Sequence, residues 1–187
     1  MAKIILASQS PRRKQLLEQA EIDFEIQVAD IDETPPAGMH GAEVPEYLAK
    51  QKAAVIAAKN EGAIIIASDT IVLLGEEIMN KPADEEDAVS ILKKLSGKVH
   101  KVISGVCMQK GADIQTFSAT TEVYFRALTD EQIRHYVTQY KPYDKAGAYA
   151  IQEWIGMVGI EKINGDYYNV VGLPVGMVVE RLKKMLS

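Results

Sequence analysis

Asp69 stands inside Ile64-Ile65-Ile66-Ala67-Ser68-Asp69-Thr70-Ile71-Val72-Leu73-Leu74, an apolar run that should be buried on both faces. An unpaired carboxylate in such a place is several kcal/mol unfavourable, so it calls for a cation, a metal or a strong hydrogen-bond donor. Carboxylates at the mouth of a sheet bind metal or activate water. The alternative is a strand-end aspartate capping a turn, although no turn residue follows before Gly75.

Ser8-Gln9-Ser10-Pro11-Arg12-Arg13 lies where a strand gives way to a helix. Free backbone N–H groups and the positive end of the helix dipole meet at such a junction and favour anions. Two hydroxyls and two guanidiniums add donors suited to phosphate oxygens. The plain alternative is a capped helix with two solvated arginines.

Lys52 falls four residues after Leu48 and four before Ile56, so it interrupts the apolar stripe marked by Val44, Leu48, Val55 and Ile56. An ammonium there either snorkels to water or meets an anion. Lys50 and Lys59 point elsewhere, to solvent. Asp30, Asp32 and Glu33 form an acidic loop that offers oxygen ligands to Mg²⁺ or Mn²⁺, or is simply solvated. Lys81, before Pro82, reads alone as a surface residue. In Asp144-Lys145-Ala146-Gly147-Ala148-Tyr149-Ala150-Ile151-Gln152, small residues admit close backbone approach to a ligand. Gln152 there suits a base edge, with turn packing as the alternative. His40, His100, His135 and Cys107 show no metal-ligand spacing, and there is no Walker A loop or GxGxxG fingerprint. Cys107 reads as a small core residue; Trp154 either lines a pocket or packs.

These residues need elements to hold them. The pattern predicts strands over 3–7, 24–28, 63–74, 98–108 and 114–126, with a turn at Gly75-Glu76-Glu77. Helices are predicted over 11–20, 43–60, 84–95, 129–140 and 174–185. Ser10 serves as an N-cap, Pro11 takes the first helical position, and Thr129 with Gln132 forms a capping box. A hairpin over 157–163 and 167–171 is expected around Asn164-Gly165-Asp166. The reading is α/β: a mixed twisted sheet flanked by helices, with a central cleft.

Length and charge narrow the classes. At 187 residues the chain suits one sizeable core, and 47% hydrophobic with 25% charged residues is ordinary for a soluble protein. No uncharged apolar run approaches the roughly 18 residues of a membrane span, and the N-terminus reads as a strand rather than a signal peptide. One cysteine rules out an internal disulfide framework and suits a reducing cytosol. A net charge of −5 argues against broad nucleic-acid binding, though a pocket's local charge can oppose the total.

Taken in order, these motifs resemble the Maf family of nucleotide pyrophosphatases, related in fold to the Ham1-type inosine-triphosphate pyrophosphatases. The likeness rests on Leu6-Ala7-Ser8-Gln9-Ser10-Pro11-Arg12-Arg13, Asp32-Glu33, Ala49-Lys50-Gln51-Lys52-Ala53, Ser68-Asp69-Thr70 and Asn80-Lys81-Pro82. It continues through Leu95-Ser96-Gly97, Asp144-Lys145-Ala146-Gly147-Ala148-Tyr149, Ile151-Gln152 and Gly172-Leu173-Pro174.

The resemblance implies a single Maf-like domain over 1–187, with two lobes around a cleft as its variant form. It implies hydrolysis of dTTP and UTP, with modified pyrimidine nucleotides as further substrates, to the monophosphate and pyrophosphate, with Mg²⁺ or Mn²⁺. Asp69 matches the proton acceptor; Glu33, Lys52 and Lys81 match polar residues of the cleft and are the expected catalytic partners, and Glu33 with Asp69 is our own expectation for the metal ligands. Ser8, Arg12 and Arg13 match the phosphate-binding start, and Ser10, at the same junction, is a further candidate for substrate binding. Arg12, Thr70 and Gln152 match positions diagnostic of the dTTP/UTP subgroup, the in-family alternative being a 7-methyl-GTP pyrophosphatase. A non-enzymatic regulator of septum formation is the alternative outside enzymology. Two departures stand out: Ser68 where alanine is usual, and Glu153-Trp154 where glycine commonly follows the glutamine. A cytoplasmic protein is expected, with a nucleoside triphosphate as substrate, no nucleic acid or membrane partner, and a homodimer by analogy.

Overall fold

The structure is a computed structural model that describes residues 2–186; Met1 and Ser187, the ends of the domain expected over 1–187, lie outside the described residues. Rows of β-branched and leucine side chains fix its first strands. β1 (Ile4–Leu6) is followed by α1 (Pro11–Gln19), β2 (Glu25–Ile26), α2 (Val44–Ala57) and the long β3 (Ile64–Leu74). β1 pairs in parallel with β3, setting Ile4, Ile5 and Leu6 against Ile64, Ile65 and Ile66, and with β2 on its other edge. Ile4 is half-buried; the other five are fully buried, and each contributes roughly 1.5–3 kcal/mol.

Next come β4 (Glu77–Met79), α3 (Glu85–Leu95), β5 (Val99–Lys110), β6 (Asp113–Phe125) and α4 (Asp130–Tyr140). The chain ends in α5 (Trp154–Gly159), β7 (Ile160–Asn164), α6 (Tyr167–Val171) and α7 (Val175–Leu186). The strand order is β2-β1-β3-β5-β6-β7, with β4 also on β3. Parallel pairs around β1 and antiparallel pairs at β3–β4 and β6–β7 make the sheet mixed, as its sequence pattern implies.

The predicted caps form. Ser10 accepts from the Arg13 N–H, and Thr129 and Gln132 close a reciprocal capping box; Asp84, expected inside its helix, instead caps it by accepting from the Asp87 N–H. The 157–171 region departs from the expected hairpin. Only β7 is a strand, antiparallel to β6, while 154–159 and 167–171 are short helices. The reason is a buried amide. Asn169 is fully covered, and its Nδ2 donates to the Val102 carbonyl and the Thr121 hydroxyl, each at 3.0 Å. Asp166 starts that helical turn by accepting from the Tyr168 N–H at 2.8 Å. β4 is a further strand beyond the predicted turn, too short to announce itself.

The chain divides into two compact units. One holds the described residues of Met1–Thr70, Ser104–Ala119 and Gly172–Ser187; the other holds Ile71–Ile103 and Thr120–Val171. In the first, Ala49, Ala53 and Ile56 of α2 pack on Ile5, Ala7, Ile65, Ala67 and Cys107. The small residues let helix and sheet approach closely. Gly105 of β5 takes this furthest, because a Cβ there would lie 2.6 Å from Glu46 Cα in the first turn of α2. In the second unit, Leu92 and Leu95 of α3 and Ile133, Tyr136 and Val137 of α4 cluster with Val72, Val102, Val123 and Phe125.

Candidate active site

In the first unit, β1 delivers the chain to Ser8, and Ser10 and Pro11 start α1 at the next turn. Ser8 is buried, and its Oγ accepts from the Ser10 N–H at 3.2 Å and from Arg13 Nη1 at 3.3 Å. Arg13 uses its remaining nitrogens equally firmly. Nε donates to the Gly172 carbonyl at 2.9 Å and Nη2 to Thr70 Oγ1 at 3.0 Å. Burial pulls the Arg13 pKa below its ordinary value, and the charge of Asp69 opposes that pull. A guanidinium remains cationic through such a shift. Arg12 contributes a like charge beside it. Of the two arginines, Arg13 is thus built into the protein rather than solvated.

Lys52 answers the question raised by Asp69. Its side chain is 10% exposed, and Nζ donates to Asp69 Oδ1 at 2.7 Å and to Glu33 Oε1 at 2.8 Å. Asp69 is 16% exposed and Glu33 55%, so the ammonium links a covered carboxylate to an open one. The charge that breaks the stripe of α2 and the charge that breaks the run of β3 are each other's partners. Of the acidic loop, Glu33 joins this group. Asp32 instead accepts from the Thr34 N–H at 2.9 Å, and hydrogen bonding from Thr34 holds its carboxyl below the usual range. Thr70 Oγ1 lies 2.8 Å from Ser104 Oγ and 3.3 Å from the Gly172 carbonyl.

Lys81 and Gln152 belong to the second unit, and both are exposed. Asn80, beside Lys81, accepts from the Gly147 N–H at 3.2 Å, which ties the Lys81 segment to the small-residue segment before Gln152. Gly147 turns there with φ +72°, and a Cβ at that residue would sit 3.0 Å from a Val72 methyl. Lys145 is buried, with Nζ 2.7 Å from Asp144 Oδ1 and 3.6 Å from Glu153 Oε1. Tyr136 donates its O–H to Glu153 Oε2 and accepts the Ala150 N–H at 3.2 Å. Burial, with the Glu153 hydrogen bond second, pushes the Tyr136 hydroxyl well above the usual tyrosine range.

Ser8, Ser10, Arg12, Arg13, Glu33, Lys52, Asp69 and Thr70 therefore share one unit, while Lys81 and Gln152 share the other. Sequence reasoning missed Ser104, the Tyr136–Glu153 pair and the use of the Gly172 carbonyl. Gly172 had a signal, because it opens Gly172-Leu173-Pro174; Ser104 sits in a long strand with none.

Three cations, Arg12, Arg13 and Lys52, stand against the carboxylates Asp69 and Glu33. This part of an acidic chain suits an anion. Among the described residues no group of three or more His, Cys, Asp or Glu side chains forms a closed metal cage. Two carboxylates fit the habit of Mg²⁺, which takes one or two from protein and the rest from phosphates and water. Among the same residues no helix is long and apolar enough to cross a membrane.

Relatives agree along nearly the whole chain. A chain from Cytophaga hutchinsonii named dTTP/UTP pyrophosphatase is 48% identical over 98% of this chain and 84% of its own length. One of the same name from Phocaeicola vulgatus is 49% identical over 98% of this chain and 96% of its own. Among solved structures, a HAM1 protein from Coxiella burnetii aligns with TM-score 0.45 at 18% identity, over 67% of this chain and 73% of that one. The model of the Maf-like protein family matches residues 3–185, and the chain belongs to that family.

Proposed function

We propose that the chain hydrolyses nucleoside triphosphates, dTTP and UTP foremost, to the monophosphate and pyrophosphate. The observation that carries the reading is Lys52 held between Asp69 and Glu33, in a chain close to half identical to proteins named dTTP/UTP pyrophosphatase. The N-terminal end of α1, with Ser8, Ser10, Arg12 and Arg13, receives phosphate oxygens. Glu33 and Asp69 would hold Mg²⁺ or Mn²⁺, which would supply charge neutralisation on the phosphates and a lower pKa for water.

In the step itself, a water oxygen bonds to the α-phosphorus while the α–β bridging oxygen departs with pyrophosphate. The water's proton passes to Asp69, oriented by Lys52. Lys52 and Arg12 offset the charge that gathers on the leaving group. Arg12 and Thr70 set the pyrimidine preference, and the names of the relatives favour it over 7-methyl-GTP. The chain acts as a single domain, as a homodimer, in the cytoplasm. A non-enzymatic role in septum formation has no observation in its favour.

The test is a panel of dTTP, UTP, modified pyrimidine triphosphates, ATP, GTP and 7-methyl-GTP with Mg²⁺ and with Mn²⁺, read by pyrophosphate release. Fast turnover of dTTP and UTP with pyrophosphate as product is expected. Release of orthophosphate instead, or preference for 7-methyl-GTP, overturns the assignment.

A further inference from the structure

We infer that Ser104 is a positioning residue: its buried hydroxyl fixes the orientation of Thr70 and, through Thr70, the aim of the Arg13 guanidinium at the phosphate site. Ser104 is fully covered, in the otherwise apolar stretch Val102-Ile103-Ser104-Gly105-Val106-Cys107-Met108. A buried hydroxyl in such a stretch needs partners, and the Thr70 hydroxyl at 2.8 Å is one.

Counting protons gives the direction of that bond. A threonine hydroxyl has one proton to give and two lone pairs to fill. Arg13 Nη2 can only donate, so it fills one lone pair of Thr70 Oγ1, at 3.0 Å. The Gly172 carbonyl, 3.3 Å away, can only accept, so it takes the Thr70 proton. One lone pair remains, and Ser104 is the neighbour that can fill it. The assignment satisfying all three neighbours therefore has Ser104 donating to Thr70 and Thr70 donating to Gly172.

The same carbonyl accepts Arg13 Nε at 2.9 Å, so Arg13, Thr70 and Gly172 close a ring and Ser104 holds it from behind. Its own footing is rigid, because Gly105 beside it is pressed against the backbone of Glu46. Without the Ser104 hydroxyl, the Thr70 lone pair that it filled is left empty in a buried niche, and only Arg13 and Gly172 still hold the Thr70 hydroxyl. The acceptor that aligns Arg13 Nη2 then loses its fixed direction. Being covered, Ser104 touches no nucleotide; it acts through Thr70.

This inference rests on the reading of Arg13 as a phosphate-site residue. A double-mutant cycle tests it, with kcat and KM for dTTP measured on wild type, Ser104→Ala, Thr70→Val and the pair. Ser104→Ala is expected to lower kcat/KM about tenfold, mainly by raising KM, the size of one buried hydrogen bond. In the Thr70→Val background it should lower it by less than about twofold. Exchange of the Arg13 Nε proton, followed by NMR on protein labelled at arginine nitrogen, should quicken at least about tenfold in Ser104→Ala. Additive losses in the cycle, or unchanged exchange, overturn the inference. If Ser104→Ala does not fold, Ser104→Cys, near in size but a weak donor, carries the same test. A wild type that releases no pyrophosphate sinks the proposed function alone, since the exchange measurement still decides the role of Ser104.

Discussion

Each unit of the molecule holds a buried lysine between two carboxylates, and the pair looks alike by composition. Lys52 and Lys145 have side chains 10% and 11% exposed, and each touches one open acid, Glu33 or Asp144, and one more covered acid, Asp69 or Glu153. Their geometry separates them. Lys52 holds both carboxylates tightly, at 2.7 and 2.8 Å, whereas Lys145 holds one at 2.7 Å and the other at 3.6 Å. The partners of Lys52 come from a loop and a long strand remote in sequence, but those of Lys145 lie at positions 144 and 153. Glu153 is further occupied by the Tyr136 hydroxyl. The Lys145 group fastens a turn; the Lys52 group joins segments far apart in the sequence. A buried ion pair alone is thus no sign of chemistry, and the sequence distance it spans says more.

The contrast breaks most readily at the covered acids. Asp69→Asn should lower turnover of dTTP by about 10² or more, the usual scale for losing a positioned proton acceptor. Glu153→Gln should leave turnover near the wild-type value while lowering the melting temperature. Steady-state pyrophosphate release and thermal melts on both variants decide it, and equal losses of activity would erase the distinction.

Acid sharpens it next, through the second unit's buried imidazole. His100 donates to or accepts from the Tyr149 hydroxyl at 2.7 Å, and burial pushes its pKa down to about 4. The unfolded chain therefore binds a proton near pH 6.5 that the folded chain refuses until about pH 4. Stability is full above that window and falls as pH drops through it, by about 2 kcal/mol at about pH 5. Urea unfolding across that range checks this, and His100→Phe should flatten the dependence. The smallest expected effect is Tyr136→Phe, which removes the O–H donated to Glu153 and should lower stability by about 1 kcal/mol with activity little changed. A loss of turnover there would place the Lys145 group in the chemistry after all.

The sequence carried these features unevenly, for physical reasons. Ser10 and Thr129 with Gln132 were legible because a cap is a local bargain between a side chain and the next three N–H groups. Asp69 and Lys52 were legible as two separate faults in apolar patterns; their pairing was not, since nothing local to either residue names the other. Ser104 was invisible, because a lone serine in a strand has no signature until β3 and β5 lie side by side. The 157–171 region was misread because Tyr167-Tyr168-Asn169-Val170-Val171 has strand composition, and only the burial of Asn169 against Val102 and Thr121 turns it into a helix.

The missing side chain at Gly105 has a consequence for how such a chain can change over generations. With the first turn of α2 set against bare backbone, the helix is registered at Glu46, and Lys52 stands six residues along it, about 9 Å at the helical rise. Any larger residue at position 105 displaces the whole rod and carries the ammonium away from Asp69. The outer face of α2, at Lys50 or Ala54, is open to substitution, whereas position 105 admits no side chain without moving the helix that carries Lys52.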